Sequence, residues 1–285
     1  MQHSGYLNPA LPWDRCLVES LSFIRSSWKS DWHGLPHFLE ESIRFLGLDR
    51  QASDSVQAAL ALARSLSHEI EDLYSHAGPG FAEPAYHSRL HFADTLCCIT
   101  LQLAIEKLAI ETEQAGPIDS DWCASACLAA LAHDFGHQGK VNTFTSEVEA
   151  QTVELLLPKM KAFKLSEAIQ GRVTECILMS DFSLAKQNHQ KVENAGFSCN
   201  QLWLNAILNE SDIMASCLPE FGSEMGRLLS EEWKHIDFPP HVSVGTPQGR
   251  MQFLSSANFS SHSSRVLGIG EKISTQINEL RAAGW

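Results

Sequence analysis

Apolar residues recur three and four apart along nearly the whole chain, and the alternating runs that mark strands are hard to find. That period predicts an all-α fold, a single multi-helix domain. At 285 residues and 44% hydrophobic composition, the chain is long enough to bury a sizeable core. Residues 14–47 read as two short amphipathic stretches split at 33–36, and 51–76 as a longer one closed by the glycine and proline of 76–80. A helix is predicted over 87–114, ending before Gly116 and Pro117, and the next starts at Asp119 or Ser120 and runs to His133. Further helices are expected at 144–158, 165–182, 200–216, 217–236 and 263–283, with loops at 238–249 and 255–264. The simplest partition is an N-terminal helical extension, 1–80, followed by a main unit, 81–285, that shares one continuous core with it.

Charge narrows the function classes. With 34 Asp and Glu against 21 Lys and Arg, the net charge of −13 argues against nucleic-acid binding driven by phosphate attraction. An anionic substrate needs local help. No apolar run approaches the roughly 18 residues of a membrane span, and the first sixteen residues show no basic region followed by an apolar stretch. A soluble cytoplasmic protein with no membrane partner is the expectation. The eight cysteines contain no CxxC pair and lie mostly in apolar helical patterns, so buried, reduced thiols are expected rather than a disulfide framework or a thiolate zinc site.

The chemistry sits where apolar helices deliver acids and imidazoles. His87 and His91, spaced i, i+4, fall on one helical face. In LAHDFGHQGKVN (131–142) an Ala/Leu helix delivers His133 and Asp134, and His137 follows one turn later. A carboxylate at the end of such a helix is costly to bury unless a cation meets it. Asp181 ends VTECILMSD, and Asp212 interrupts the apolar LWLNAILNESDIMASCL. Helical domains build metal centres from such inward-facing side chains on neighbouring helices. The set His, His, Asp, Asp offers nitrogen and oxygen without sulfur, which suits Zn, Mn or Fe and leaves positions open for water. Glu149 and His137 could support a second, water-rich ion of the Mg type.

These residues resemble a known family. AYHSRLHFADTL (85–96) is similar to the YHNxxHAxDV motif of class I cyclic-nucleotide phosphodiesterases, and HDFGHQGKVN (133–142) to their HDxxHPGxxN. SEVEAQ (146–151), ILMSDFS (177–183) and NESDIMAS (209–216) resemble their SVLENH, VLATDMS and xCADxSN segments, in the same order. Such a resemblance implies membership of the HD-domain metalloenzymes. The resemblance implies that 81–285 is an HD-type phosphodiesterase catalytic domain in which His91, His133, Asp134 and Asp212 hold a first ion (Zn, Mn or Fe). It implies that Asp134 bridges to a second ion (Mg or Mn), whose waters meet His137, Glu149 and Ser180, with Asp181 and Asp94 in support. His87 matches the general acid that protonates the leaving ribose oxygen after attack by a metal-bridging hydroxide. The implied substrate is a small 3′,5′-cyclic nucleotide opened to the 5′-monophosphate, with Phe253 and Gln252 as substrate-binding candidates. A homodimer is compatible with this reading.

The chain departs from the family's pattern where a base would be read. Ala215 stands for the Asn that follows the last metal Asp, Arg250 for the Gln three residues before the clamping Phe, Ser88 for the Asn after the general acid, and Gln138 for the Pro of HPG. Other classes therefore stay open: another HD phosphohydrolase acting on a nucleotide or phosphomonoester, a di-iron HD oxygenase, or a scaffold protein with a relic metal site. Glu231, Glu232 and Trp233 faintly resemble the family's EEFF segment, and an exposed acidic turn is the plainer expectation for them.

Overall fold

A computed structural model describes residues 6–50, 52–75, 83–110, 118–195 and 200–285. The breaker at 76–80, the helix end at 116–117, Cys199, His3 and His76 lie outside the described residues. Among those described there are fourteen helices and no strand, as the periodicity predicts. The first six are α1 (Trp13–Ser27), α2 (Leu35–Leu46), α3 (Asp54–Ser75), α4 (Arg89–Ile110), α5 (Ser120–Ala132) and α6 (Glu147–Ala162). Then come α7 (Glu167–Leu178), α8 (Phe182–Ala195), α9 (Gln201–Cys217) and α10 (Gly222–His235). The chain closes with α11 (His241–Val244), α12 (Pro247–Ser256), α13 (His262–Val266) and α14 (Ile269–Ala282). None of these helices is long and apolar enough to cross a membrane.

Composition decides which helices lie inside. α4 and α5 carry apolar and small residues on every side, so they have no solvent face to offer and become the centre of the bundle. α4 packs against α1, α2, α5, α9 and α13, and α5 against α3, α7 and α9. The apolar core runs without a break from Leu17 and Phe38 in the first two helices to Ile269 in the last. Asp119 caps α5 as expected, accepting the Trp122 amide at 3.0 Å.

Several boundaries differ from the sequence expectation. α6 continues through Pro158, because Leu156 and Met160 are buried on either side and hold both halves against the core. The stretch 165–182 is two helices: α7 stops at Leu178, and Asp181 in the break caps α8 by accepting the Ser183 amide at 2.8 Å. α8 itself was not expected, since its sequence is mostly polar and buries only Ala185, Asn188, His189 and Val192. The predicted 238–249 loop holds α11 and the start of α12, each opened by a proline, Pro240 and Pro247. Leu218 ends α9, and α10 begins only at Gly222; Gly268, at φ +66°, divides α13 from α14.

Polar groups tie this core together at two points. Asp94 of α4, buried, receives both terminal nitrogens of Arg25 of α1 at 2.7 Å each. Glu210 of α9 is fully buried and accepts the backbone amides of Ser260 and Ser261 at 2.7 and 2.8 Å, the Ser261 hydroxyl, and the Gln102 amide at 2.6 Å. Breaking a buried ion pair leaves a charge without compensation. Asp94→Ala is therefore expected to cost about 3–5 kcal/mol of stability, read from the denaturation midpoint; a loss under about 1 kcal/mol would show that α1 is not held by this pair.

Candidate metal centre

Three central helices each deliver side chains to one point. His91 lies in the first turn of α4, His133 caps the end of α5 with Asp134 directly after it, and Asp212 sits in the last third of α9. The Nδ1 of His133 is placed 2.9 Å from the Ala130 carbonyl, to which it donates, and this leaves Nε2 facing inward. After Asp134 the chain must turn sharply away, and Gly136 and Gly139 do so at φ +80° and +71°, a region a side chain disfavours.

The resulting donor set is compact. One ligand atom from each of His91, His133, Asp134 and Asp212 lies within 4.8 Å of all the others. The two Nε2 atoms are 3.3 Å apart; His91 Nε2 is 3.3 Å from Asp134 and 2.9 Å from Asp212, and His133 Nε2 is 3.1 and 3.5 Å from the same two carboxylates. Donors bound at about 2.0–2.2 Å to one divalent ion are themselves about 3.0–3.5 Å apart. The spacing found is that of a coordination shell. A second trio, His87, Asp134 and His137, meets the same criterion and shares Asp134 with the first.

Electrostatics point the same way. Burial alone would raise both carboxylates, yet the facing imidazoles hold Asp134 and Asp212 well below the usual carboxylate range. Burial likewise lowers His91, but its hydrogen bonds to the two acids outweigh that and push it up to about 9. His133 is raised for the same reason. Two inward carboxylates thus demand positive charge, and a divalent cation supplies it without protonating the ligands. The residues present fit such an ion.

His87 is placed differently from the expectation. It precedes α4 instead of opening it, and α10 holds it: the Tyr86 and His87 amides donate to Glu232 Oε2 at 2.8 and 3.0 Å, and His87 Nδ1 pairs with Oε1 at 2.5 Å. Its Nε2 lies 4.0 Å from Asp134, and the His137 ring lies against it, tilted by 32° with centroids 4.0 Å apart. Burial disfavours a charged His87, but Glu232 and Asp134 more than offset this and its pKa rises. His137 goes the other way, to about 4, through burial and the adjacent His87.

The exposed acidic turn expected at 231–233 is half wrong. Glu231 is exposed and pairs with Arg227, whereas Glu232 is buried and held down to about 2 despite burial by His87 and the two amides. Its position was legible: Met225 and Leu229 precede Glu232 by seven and three residues, so it lies on the apolar stripe of α10.

The outer candidates divide. Glu149 accepts the Asn142 amide with both oxygens, at 3.2 and 2.9 Å, and burial raises its pKa. Asp181 accepts the Ser146 and Ser183 amides, which pins Ser146 at φ +57° at the start of α6, and the Ser180 hydroxyl donates back to Ile177. None of these three joins the compact donor sets. Asp94 faces Arg25 and α1. Phe253 of α12 stands beside a narrow cavity with Tyr86 and Ser216, but Gln252 is exposed on the opposite side of α12, near Met251 and Trp285.

If these four donors hold an ion, Asp212→Ala and His133→Ala lose bound zinc or manganese after dialysis, and His87→Ala keeps it. Elemental analysis decides; full metal retention by both ligand variants would dissolve the site.

No family model matches the sequence, and no curated protein matches it. Among solved structures the fold has clear likenesses. The Leishmania phosphodiesterase LmjPDEB1, solved in complex with IBMX, superposes with a TM-score of 0.66 at 13% identity, over 99% of this chain and 93% of that one. The phosphodiesterase domain of the Salpingoeca rosetta rhodopsin phosphodiesterase gives 0.63 at 16%, over 98% and 96%. Yeast caPDE2, also in complex with IBMX, gives 0.52 at 13%, over 95% and 72%. Over its described residues the chain has the all-helical fold of these phosphodiesterase domains.

Proposed function

We propose that this protein is a metal-dependent phosphodiesterase that opens a 3′,5′-cyclic nucleotide to the 5′-monophosphate. The observation that carries the reading is the juxtaposition of the four-donor cluster with a Glu-supported imidazole, on a fold shared with phosphodiesterase domains. His91, His133, Asp134 and Asp212 would hold a first ion (Zn, Mn or Fe). Asp134 would be shared with a second (Mg or Mn), with Glu149, Ser180 and Asp181 shaping its surroundings. When bound, such ions supply Lewis-acid polarisation of the phosphoryl group and an acidified water.

The chain's own residues do the rest. His87 Nδ1–H donates to Glu232, so a proton on the other nitrogen, Nε2, faces the cluster. An alkoxide is a poor leaving group near neutral pH, and His87 Nε2 is placed to give it that proton as the P–O bond breaks. Glu232 fixes the ring's orientation and favours its protonated form; the carboxylate also anchors the backbone at Tyr86 and His87. The cluster also answers the charge problem of an acidic protein with an anionic substrate, since ions held there attract phosphate locally.

A second reading, an HD phosphohydrolase of linear nucleotides or phosphomonoesters, is favoured by Ala215 and by Arg250, whose guanidinium donates to the Ser216 and Leu218 carbonyls and to Gln276 Oε1. Product analysis of metal-loaded protein separates them: the first predicts 5′-AMP or 5′-GMP from the cyclic compounds, and the second predicts inert cyclic compounds and turnover of the linear ones. His87→Ala is expected to lower kcat by about 10²–10⁴-fold with metal content kept, and Glu232→Gln by about 10–100-fold. Unchanged turnover in His87→Ala would remove its role as acid.

A further inference from the structure

The end of α7 is a junction at which α6, α8 and α9 meet. A helix leaves its last carbonyls without partners of its own, and here side chains from other elements supply them. The Leu178 carbonyl accepts the Ser146 hydroxyl, from the start of α6, at 2.8 Å. The Met179 carbonyl accepts two side-chain amides, that of Asn188 of α8 at 2.9 Å and that of Asn209 of α9 at 2.8 Å.

The two amides also bind each other, Asn188 Nδ2 donating to Asn209 Oδ1 at 2.8 Å. A carbonyl only accepts, so both amide nitrogens face Met179 and the orientation of the pair is fixed. Both residues are buried, where an amide is costly unless it is hydrogen-bonded. Leucine would fill the same space; what the amides add is a fixed direction. α8 buries only four residues, and Asn188 is one of them.

The turn held in this way carries Ser180 and Asp181. Asp181 accepts the amides of Ser146 and Ser183 at 2.7 and 2.8 Å, and Ser146 opens α6, the helix of Glu149. Burial raises Glu149, and the charges of Asp181 and Asp134 add to the rise, so the three carboxylates share one region. Asn209 and Asp212, three residues apart on α9, are neighbours on one helix face. One helix therefore meets the four-donor cluster with Asp212 and the 179–181 turn with Asn209.

We infer that Asn188 and Asn209 are positioning residues for the second ion: they fix the 179–181 turn, and through Asp181 the start of α6, relative to Asp212. The inference rests on the two-ion phosphodiesterase reading above and adds the groups that keep the second ion's surroundings in register with the first. Neutral amides suit this task, because they give direction without a positive charge that would compete with a cation for the same carboxylates.

The test is a titration of the full chain with Mn²⁺ alone, the free ion being read by electron paramagnetic resonance. The parent chain is expected to take up two ions. Asn209→Leu and Asn188→Leu are expected to keep the tighter one and to bind the weaker about 10–100-fold less well. The double variant is expected to be no worse than either single one, because the two amides act as a unit. Unchanged binding of the weaker ion in the folded variants, or equal loosening of both ions, overturns the inference and leaves the two-ion reading standing. A parent chain that binds one ion refutes that reading, and the inference falls with it.

Amide hydrogen exchange of the metal-free protein gives a second readout. The Ser146 and Ser183 amides, which donate to Asp181, are expected to exchange faster in the variants, and those of α4 and α5 are not. If Asn209→Leu does not fold, Asn188→Ala, on a helix with few buried residues, takes its place; unchanged exchange at Ser146 and Ser183 in that variant overturns the inference.

Discussion

Two carboxylates, Asp134 and Asp212, face each other's imidazole neighbours inside a helical core, and the architecture around them follows from that. Isolated, either charge would be too costly to bury. Brought together with His91 and His133 at separations of 2.9 to 3.5 Å, they form a set that is stable only with positive charge at its centre. The helices that carry them must therefore be rigid and well packed, and α4 and α5, apolar on every side, are. α9 follows the same rule around Asp212, whose neighbours from Trp203 to Cys217 are almost all buried.

Glu232 extends the same logic one step outward. A third buried acid, on α10, meets the amides of Tyr86 and His87 and the His87 ring, so the segment just before α4 is fixed by a distant helix and not by α4 itself. Gly139 packs against the Glu232 side chain, where an added Cβ would lie 3.0 Å from Glu232 Cγ, and donates its amide to His137 Nδ1 at 3.0 Å. The loop after Asp134 and the carboxylate of α10 thus pack against one another, coupling the end of α5 to the imidazole of His87.

The legible part of this protein was its apolar part. The helical period exposed α4, α5 and α9, and the acids and imidazoles that interrupt these helices stood out against their surroundings. α8 was hidden because it touches the core through only four residues, two of them polar, Asn188 and His189. The turn ending in Asp181 looked like the end of one helix because the carboxylate that starts the next is the same residue. Glu232 was missed through its neighbour: Glu231 beside it is exposed, and a pair of acids reads as a solvated turn unless each is placed on the helical stripe. Gln252 and Phe253 show the limit of adjacency, since consecutive residues of a helix point about a hundred degrees apart and the two line different cavities.

α9 brings one of the four clustered donors and ends beneath side chains from α12 and α14. Its last third carries Asp212 to the four-donor cluster, and its last carbonyls are those of Ser216, Cys217 and Leu218. Pro219, which follows, has no amide to give, and the Leu218 carbonyl accepts the Phe221 and Gly222 amides at 3.3 and 2.9 Å. Arg250 donates to the Ser216 and Leu218 carbonyls and Gln276 of α14 to the Cys217 carbonyl, so the end of the helix that bears Asp212 is held by side chains from α12 and α14.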